Sequence, residues 1–212
     1  MRVFEGFGSL PGPTRRASVA FGNFDGVHRG HRQILDAVVA DARVRGTVAA
    51  VVTFVPHPLR VLAPERAPRM IETPEDRLER LAAAGVEVVV RVAFSPSFAR
   101  VTAASFIEDL LVGRLGCDAL FLGGDARFGA GREGDAAFLA RYERAGVFAM
   151  HFVPPVVVDG VRVSSSGVRR RVATGDMEGA AAFLGRPFSL KGTVVTGAGR
   201  GRTLGFPTAN LS

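Results

Sequence analysis

Short apolar runs alternate with longer amphipathic segments along most of the chain. Several of the short runs are apolar at consecutive positions, which is typical of parallel strands buried on both faces of a sheet. In the longer segments the apolar residues recur at helical spacing. The alternation predicts the α/β class, with a parallel sheet covered by helices. The predicted strands occupy residues 17–21, 47–54, 86–93, 119–122 and 147–152.

The predicted helices lie between these strands. Apolar residues at helical spacing mark residues 34–42 and 106–111. Thr73 and Pro74 supply an N-cap and a first-turn proline for another helix. The chain therefore contains the crossover helices that a parallel sheet requires.

The pattern changes near the C-terminal end. Residues 176–184 predict a short helix, the Gly-Arg-Pro sequence at 185–187 ends it, and residues 189–196 form a strand-like run. We therefore expect one domain over residues 1–185. The remaining segment, 186–212, is too short for an independent core, because even small domains need ~40 residues without staples.

Charge and cysteine content narrow the class of partners. The formal net charge of +7 comes almost wholly from arginine, since Lys191 is the only lysine. This favours anionic ligands, but the arginines are dispersed and there is one tyrosine, so we expect no nucleic-acid partner.

No apolar run approaches the ~20 residues of a membrane span, and no secretory h-region follows Met1, so we expect no membrane partner. Cys117 is alone, which fits a cytoplasmic protein.

A glycine-rich segment with two histidines follows the first predicted strand. Glycines at 22, 26 and 30 permit tight turns, and the free N–H groups where the helix begins attract phosphate. His28 and His31 are three residues apart, so their imidazoles point to one side of the first helical turn. The alternative is an ordinary glycine turn with polar surface histidines. No P-loop sequence occurs, and the glutamate and third ligand of a two-histidine zinc site are missing.

The sequence His-Arg-Gly-His at 28–31 resembles the His-x-Gly-His signature of the nucleotidylyltransferase superfamily. The longer segment at 22–31, Gly-Asn-Phe-Asp-Gly-Val-His-Arg-Gly-His, is similar to the adenylyltransferase module of the prokaryotic bifunctional riboflavin kinase/FAD synthetase family. The resemblance implies a Rossmann-like nucleotidylyltransferase domain in which both histidines act on the ATP phosphates. It also implies ATP contacts from Gly22, Asn23, Phe24, Asp25 and Gly30.

Two further segments resemble the flavin side of that family's site. Thr-Phe-Val-Pro-His-Pro at 53–58 implies flavin contacts, although prolines that end a strand with an exposed histidine are the simpler interpretation. Leu-Gly-Gly-Asp-Ala-Arg-Phe-Gly at 122–129 departs from the family at Ala126, where an aromatic residue is usual. A loop ion pair is the alternative role for its charged residues. The flavin-binding residues implied are Phe54, His57, Pro58, Asp125, Arg127 and Phe128.

The segment Val-Ser-Ser-Ser-Gly-Val-Arg at 163–169 resembles the family's Ile-Ser-Ser-Thr-x-Ile-Arg. Helix capping is the ordinary explanation for a serine cluster of this kind. Hydroxyls and free N–H groups at a helix start, with an arginine one turn later, also form an anion site. We therefore assign Ser164, Ser165, Ser166 and Arg169 to the ATP triphosphate.

The C-terminal segments at 192–197 and 205–210 resemble the opening of the family's riboflavin kinase barrel. Thr208 and Asn210 match its magnesium and nucleotide motif and would serve as metal ligands only within a complete kinase module. A barrel fragment leaves open sheet edges, so we expect an incomplete β-barrel fragment and no kinase activity from these residues.

The resemblance implies an FMN adenylyltransferase that converts ATP and FMN to FAD and pyrophosphate, with Mg²⁺ as cofactor. The FMN phosphate attacks the α-phosphorus in line, and His28, His31 and Arg169 are the expected catalytic residues. Alternatives are another adenylyl- or cytidylyltransferase of the superfamily, or a flavin- or nucleotide-binding protein without catalysis. Salt-dependent association with DNA would indicate a nucleic-acid binder instead.

Overall fold

Six parallel strands form the central sheet of the computed structural model. The structure describes residues 1–12, 16–198, 200–203, 205–206, 208 and 210–211. All five strands predicted from the sequence are present, with ends that differ by at most a few residues. The six strands are β1 (Arg2–Glu5), β2 (Ala17–Phe21), β3 (Val48–Val55), β4 (Val88–Ala93), β5 (Cys117–Gly123) and β6 (Ala149–Val153).

The order of strands across the sheet is β1-β4-β3-β2-β5-β6. From β2 the chain proceeds to β3 and β4 on one side, and then returns to place β5 and β6 on the other side. The direction of winding therefore reverses between β2 and β5. Open parallel sheets bind ligands in the crevice outside the carboxyl ends of the strands at such a reversal.

Helices cover both faces of the sheet, as the sequence predicts. One face carries α1 and α3, whose buried side chains include Leu35, Val38 and Leu81. The other face carries α4, its π-helical continuation and α5, which bury Ile107 and Leu139. The helices are α1 (Arg29–Arg45), α2 (Leu59–Leu62), α3 (Pro74–Ala83), α4 (Ala103–Ser105) with a π-helix (Phe106–Arg114), α5 (Ala136–Arg144), α6 (Ser165–Ala173), α7 (Met177–Leu184) and α8 (Arg200–Thr203).

Successive side chains of the buried strands point to opposite faces of the sheet. In β2, Val19 packs in the cluster under α4 and α5, whereas its neighbour Ala20 packs in the cluster under α1 and α3. Both residues are fully buried, as expected for a strand covered on both faces. Every residue of β2 is buried, so the loop that follows it starts from the interior of the sheet.

Side-chain caps confirm several of the predicted helix starts. Thr73 accepts a hydrogen bond from the backbone N–H of Asp76, and Asp176 accepts one from Gly179 at the start of α7. Gly185 ends α7 in the left-handed conformation, with φ of 74°, where glycine carries no steric cost. The helix predicted over residues 176–184 is therefore confirmed.

Two short antiparallel strand pairs follow the parallel sheet in the chain. Strands β7 (Val157–Val158) and β8 (Val161–Arg162) pair with each other, as do β9 (Val194–Val195) and β10 (Asn210–Leu211). Thr208 and Asn210 are exposed. Their predicted motif also includes Pro207 and Ala209, which lie outside the described residues. Among the residues that the structure describes, no helix combines the length and apolarity that crossing a membrane requires.

Candidate active site

Three loops meet at the carboxyl ends of β3, β2 and β5. The loop after β2 carries the glycine and histidine motif, the loop after β3 carries His57, and the loop after β5 carries residues 124–129. These strands are neighbours in the sheet, so motifs that are far apart in the sequence converge on one edge. The crevice predicted from the winding of the sheet is therefore lined by the residues that the sequence motifs singled out.

The loop after β2, residues 22–28, has a constrained backbone. Phe24 and Val27 have φ angles of 48° and 36°, and Gly26 has φ of 82°. A Cβ atom added to Gly26 would lie 2.9 Å from Ile71 Cδ1, so no other residue fits there without displacing Ile71. Left-handed conformations of residues such as Val27 cost about 1–3 kcal/mol each and persist only where the surroundings hold them.

His28 and His31 lie face to face at the start of α1. His28 is the N-cap, and its Nδ1 accepts a hydrogen bond from the backbone N–H of His31 at 3.2 Å. The two rings stack with centroids 3.6 Å apart and planes inclined by 14°. Because Nδ1 of His28 is an acceptor, the neutral ring carries its proton on Nε2, which is a donor.

Both imidazoles are neutral near pH 7. Burial lowers the pKa of His28 to about 4, with the positive charges of Arg169 and Arg186 acting in the same direction. Burial also lowers the pKa of His31 well below its ordinary value, and the adjacent His28 adds to this. Both rings are therefore uncharged, and the positive charge near them comes from arginine.

Arg169 brings that charge to the site from α6. Its guanidinium pairs with the buried carboxylate of Asp25 at 2.5 Å and donates to the backbone carbonyl of Arg69 at 2.8 Å. Asp25 also accepts a hydrogen bond from the backbone N–H of Ile71 at 3.0 Å. Asp25 is thus the counter-ion of Arg169. The two assigned residues are in direct contact, although 144 positions separate them in the sequence.

The three serines have different positions at the start of α6. Ser164 accepts a hydrogen bond from the backbone N–H of Gly167 at 3.1 Å, so its capping role is observed. Ser165 donates to the backbone carbonyl of Asp25 at 3.0 Å and so links α6 to the loop after β2. Ser166 is exposed. Their assignment to ATP stays a prediction.

A largely apolar pocket of about 660 Å³ adjoins the histidine motif. Small-molecule pockets usually enclose ~300–1,000 Å³ and are lined mainly by apolar and aromatic side chains. Phe54, Phe94 and Phe98 form one wall, with ring centroids 5.7–6.0 Å apart. Other lining residues include Phe21, Gly22, Asn23, His57, Pro58, Leu59, Leu62, Phe106, Ala126, Arg127, Phe128 and Arg132.

Of the six residues assigned to flavin, five line this pocket and Asp125 does not. Asp125 instead pairs with Arg162 at 2.7 Å, and both side chains are more than half exposed. An exposed pair of this kind contributes little to stability. Ala126 lines the pocket, so the position where the family usually carries a ring does face this space.

Asn23 connects the phosphate loop to the pocket. Its side-chain amide lies 3.1 Å from His57 Nε2, and His57 Nδ1 accepts a hydrogen bond from the backbone N–H of Leu59 at 3.2 Å. The Asn23 atom in this contact is the amide nitrogen Nδ2. Its buried oxygen Oδ1 has no hydrogen-bond partner among the described residues and can accept a hydrogen bond from a ligand.

The sequence motifs missed several residues of this site. Arg77 is buried on α3 and donates to Thr53 Oγ1 at 3.3 Å, and Thr53 in turn donates to the backbone carbonyl of Asn23 at 3.1 Å. The sequence signal for burial of Arg77 was its position one helical turn before the buried Leu81. Phe94 and Phe98 were also missed, although aromatic residues just after a predicted strand are candidates for a pocket wall at that edge.

Comparisons with known proteins agree with this geometry. The sequence model of the FAD synthetase family matches residues 11–167, and that of the riboflavin kinase family matches residues 184–212. A bifunctional riboflavin kinase/FMN adenylyltransferase from Escherichia coli strain K12 is 40% identical over 212 residues, which span 100% of this chain and 68% of the relative. The chain belongs to the FAD synthetase family.

Solved structures support the same fold. A protein from Streptococcus pneumoniae described as a macrolide-efflux protein superposes with a TM-score of 0.85 at 30% identity, covering 100% of this chain and 68% of that one. A pantoate-beta-alanine ligase from Francisella tularensis superposes with a TM-score of 0.53 at 12% identity, covering 86% of this chain and 78% of that one. The second similarity concerns the fold alone, and it confirms the Rossmann-like arrangement expected for the FAD synthetase family.

Proposed function

We propose that this chain transfers the AMP moiety of ATP to the phosphate of FMN and so forms FAD and pyrophosphate. The observation that carries the proposal is the shared wall between the phosphate loop and the apolar pocket, to which Gly22 and Asn23 both contribute. Phosphate donors and a pocket large enough for a flavin ring are therefore adjacent. Membership of the FAD synthetase family supports the same reaction.

In this reaction one oxygen of the FMN phosphate forms a bond to the α-phosphorus of ATP. The bond from that phosphorus to the bridging oxygen of the β-phosphate breaks, and pyrophosphate leaves with the electron pair. A phosphate monoester has a second pKa near ~6 and is largely dianionic at pH 7, so no general base is required. The protein must position crowded anions and stabilise their charge.

His28 and His31 suit the second task as neutral donors. The stack holds both rings and the N-cap hydrogen bond orients the His28 ring, so little reorganisation is needed when charge develops on the phosphoryl oxygens. Arg169 supplies positive charge, and exchange of its Asp25 contact for a phosphate contact would bring α6 against the triphosphate. Ser164, Ser165 and Ser166 add donors at the start of that helix.

Mg²⁺ enters this scheme as part of the substrate, Mg·ATP. Phosphate oxygens and water are ligands that Mg²⁺ accepts readily, and the ion often binds through substrate phosphates with few protein ligands. Among the described residues, no group of three His, Cys, Asp or Glu side chains is arranged to hold a metal ion. These residues therefore fit a metal ion that is bound mainly through the nucleotide.

The flavin ring is assigned to the wall formed by Phe54, Phe94 and Phe98. An aromatic contact of this kind stabilises the bound ring by about 0.5–1.5 kcal/mol beyond the contribution of the apolar area that it buries. Phe94 and Phe98 thus provide rings in a pocket where Ala126 provides none. His57 Nε2 is already in contact with the Asn23 amide, so His57 offers the flavin its ring surface.

Incubation of the purified chain with ATP, Mg²⁺ and FMN tests the proposal, with FAD and pyrophosphate measured by chromatography. We expect FAD to form in amounts equal to pyrophosphate, and riboflavin in place of FMN to give none because it lacks the attacking phosphate. Absence of FAD, with pyrophosphate released on addition of a different phosphate acceptor, would instead indicate another transferase of the superfamily.

A further inference from the structure

The backbone at Gly26 and Val27 is held from two sides by charged side chains. The backbone N–H of Gly26 donates to Glu72 Oε1 at 2.9 Å. Arg186 donates from Nη2 to the carbonyl of Gly26 at 2.7 Å and from Nη1 to the carbonyl of Val27 at 3.4 Å. Neither Glu72 nor Arg186 belongs to any of the motifs that identify the site.

The same two side chains contact each other in a sheltered position. Glu72 Oε2 lies 3.5 Å from Arg186 and 2.8 Å from Arg80, and the Glu72 side chain is 3% exposed. Burial raises the pKa of Glu72 and lowers the pKa of Arg186, so the environment opposes both charges. Sheltered ion pairs of this kind contribute little net stability but fix geometry. The planar guanidinium suits the task, because one fork reaches two successive carbonyl oxygens.

The backbone held in this way includes the strained residue Val27. Val27 is β-branched and has φ of 36°, a conformation that persists only when its surroundings impose it. His28 follows directly and caps α1 with its Nδ1. A change in the backbone of Val27 would therefore rotate His28 away from its stack with His31.

Arg186 reaches this loop from the segment that follows the adenylyltransferase domain. It comes directly after the helix-ending Gly185, within residues 184–212 that match the riboflavin kinase family. Lys191 fastens the same segment to α3 by contacts of 2.5 Å with Asp76 and 2.6 Å with Glu79. The segment is thus fixed independently of its contact with the phosphate loop.

We propose that Arg186 and Glu72 are positioning residues that hold Gly26 and Val27 so that His28 meets the ATP phosphates. The segment after the adenylyltransferase domain thereby completes that domain's phosphate site. This inference rests on the proposed function for its kinetic consequence. Neither residue is assigned a contact with substrate, and their effect passes through the loop.

Arg186→Met in the full chain is the test variant, and Lys191→Met is its matched control. Both remove one cation from the same segment, but Lys191 does not contact the phosphate loop. We expect Arg186→Met to lower kcat/KM for ATP at least about tenfold, with KM for FMN changed by less than about twofold. Lys191→Met should remain within about twofold of the parent in both. Equal kinetics for Arg186→Met and the parent would overturn the inference, as would a parallel rise of both KM values.

A second measurement is independent of turnover. The His28 ring is titrated by NMR in the ligand-free parent and both variants, with His28→Asn used to assign its signals. Loss of the nearby cation and loosening of the loop should raise the pKa of His28 from about 4 in Arg186→Met and leave it unchanged in Lys191→Met. An unchanged His28 titration in Arg186→Met contradicts the positioning role of Arg186, whether or not FAD is formed. The positioning role and the proposed FAD synthesis can therefore fail separately.

Arg186→Lys guards against a folding defect in the methionine variant. It keeps the charge and most of the stem but loses the planar fork. We expect native circular dichroism and a fall in kcat/KM for ATP of at least about threefold, because one ammonium group cannot hold both carbonyls in the same geometry. Full activity of Arg186→Lys would show that charge alone suffices and would overturn the role of the fork.

Discussion

His28 and His31 act as a pair because each fixes the other. The backbone N–H of His31 binds Nδ1 of His28, and the rings stack at 3.6 Å. Burial keeps both rings neutral. In the proposed reaction they act as N–H donors, and Arg169 supplies positive charge. A pair of histidines in a glycine-rich turn is predictable from the sequence, but their neutrality is visible only once their burial is known.

Replacement of His31 by alanine tests the role of this donor. Loss of one preorganised donor from a phosphoryl-transfer site is expected to reduce kcat for FAD formation about 100- to 1,000-fold. The helix should persist, because alanine has the highest helix propensity. His151→Ala is the matched control, since His151 stacks on Phe121 in the sheet and lies outside the site. Comparable kcat values for the two variants would remove His31 from the catalytic account.

The neutral histidines also make the fold sensitive to acid. Burial lowers the pKa of His28 from 6.5 to about 4, so below pH 6.5 the unfolded chain takes up a proton that the folded chain does not. The free energy of unfolding therefore falls as the pH decreases toward 4, and His28 alone accounts for about 2 kcal/mol by about pH 5.

Urea unfolding at about pH 7.5 and about pH 5 measures this contribution. His28→Asn keeps an N-cap acceptor but has no titratable ring. Its loss of stability between the two pH values should be smaller than that of the parent by about 2 kcal/mol. The same loss in both proteins would show that His28 titrates normally in the folded chain.

At the scale of elements, the loops after β3, β2 and β5 derive their positions from strands that are buried over most of their length. The loop after β5 turns at Gly129, which has φ of 74° and lies against α4. A Cβ added there would be 2.6 Å from the backbone nitrogen of Ala103. Gly131 has φ of 62° but nothing within 4 Å of such an atom.

These two glycines separate backbone strain from packing. Gly131→Ala should cost about 1 kcal/mol of unfolding free energy, because only its left-handed conformation is penalised. Gly129→Ala should cost about 1–3 kcal/mol more, since the added methyl group displaces the backbone of α4, and it should raise KM for FMN. Thermal and urea unfolding of both variants measure the difference. Equal losses of unfolding free energy in the two variants would mean that the loop moves at Gly129 to accommodate the methyl group without cost.

Local pattern predicts the buried strands well and the edge strand β1 poorly. Strands β2 to β5 are apolar at nearly every position, so their runs are evident in the sequence. β1 is mostly exposed, and its position depends on pairing with β4, 86 residues away in the sequence, which no local pattern encodes. The predicted helix over residues 106–111 is observed, but its π-helical geometry was not anticipated.

At the scale of the whole molecule, the site is assembled from contacts between distant parts of the chain. The pair Asp25 and Arg169 spans 144 positions, and the contact of Arg186 with Gly26 spans 160. Sequence motifs identify both members of the first pair but only Gly26 of the second, and contact within each pair depends on the order of strands in the sheet. This is why the phosphate motif was predicted from the sequence, whereas the contacts of Glu72 and Arg186 with the loop after β2 were not.

Transfer of radiolabel from ATP to flavin tests the central claim most directly. With FMN, Mg²⁺ and ATP labelled at the α-phosphorus, the label should appear in FAD. With ATP labelled at the γ-phosphorus, it should appear only in pyrophosphate. This is the outcome of attack on the α-phosphorus at a site formed by His28, His31 and Arg169. Label from the γ-phosphorus in a flavin product, or no label in flavin from either ATP, would contradict the account.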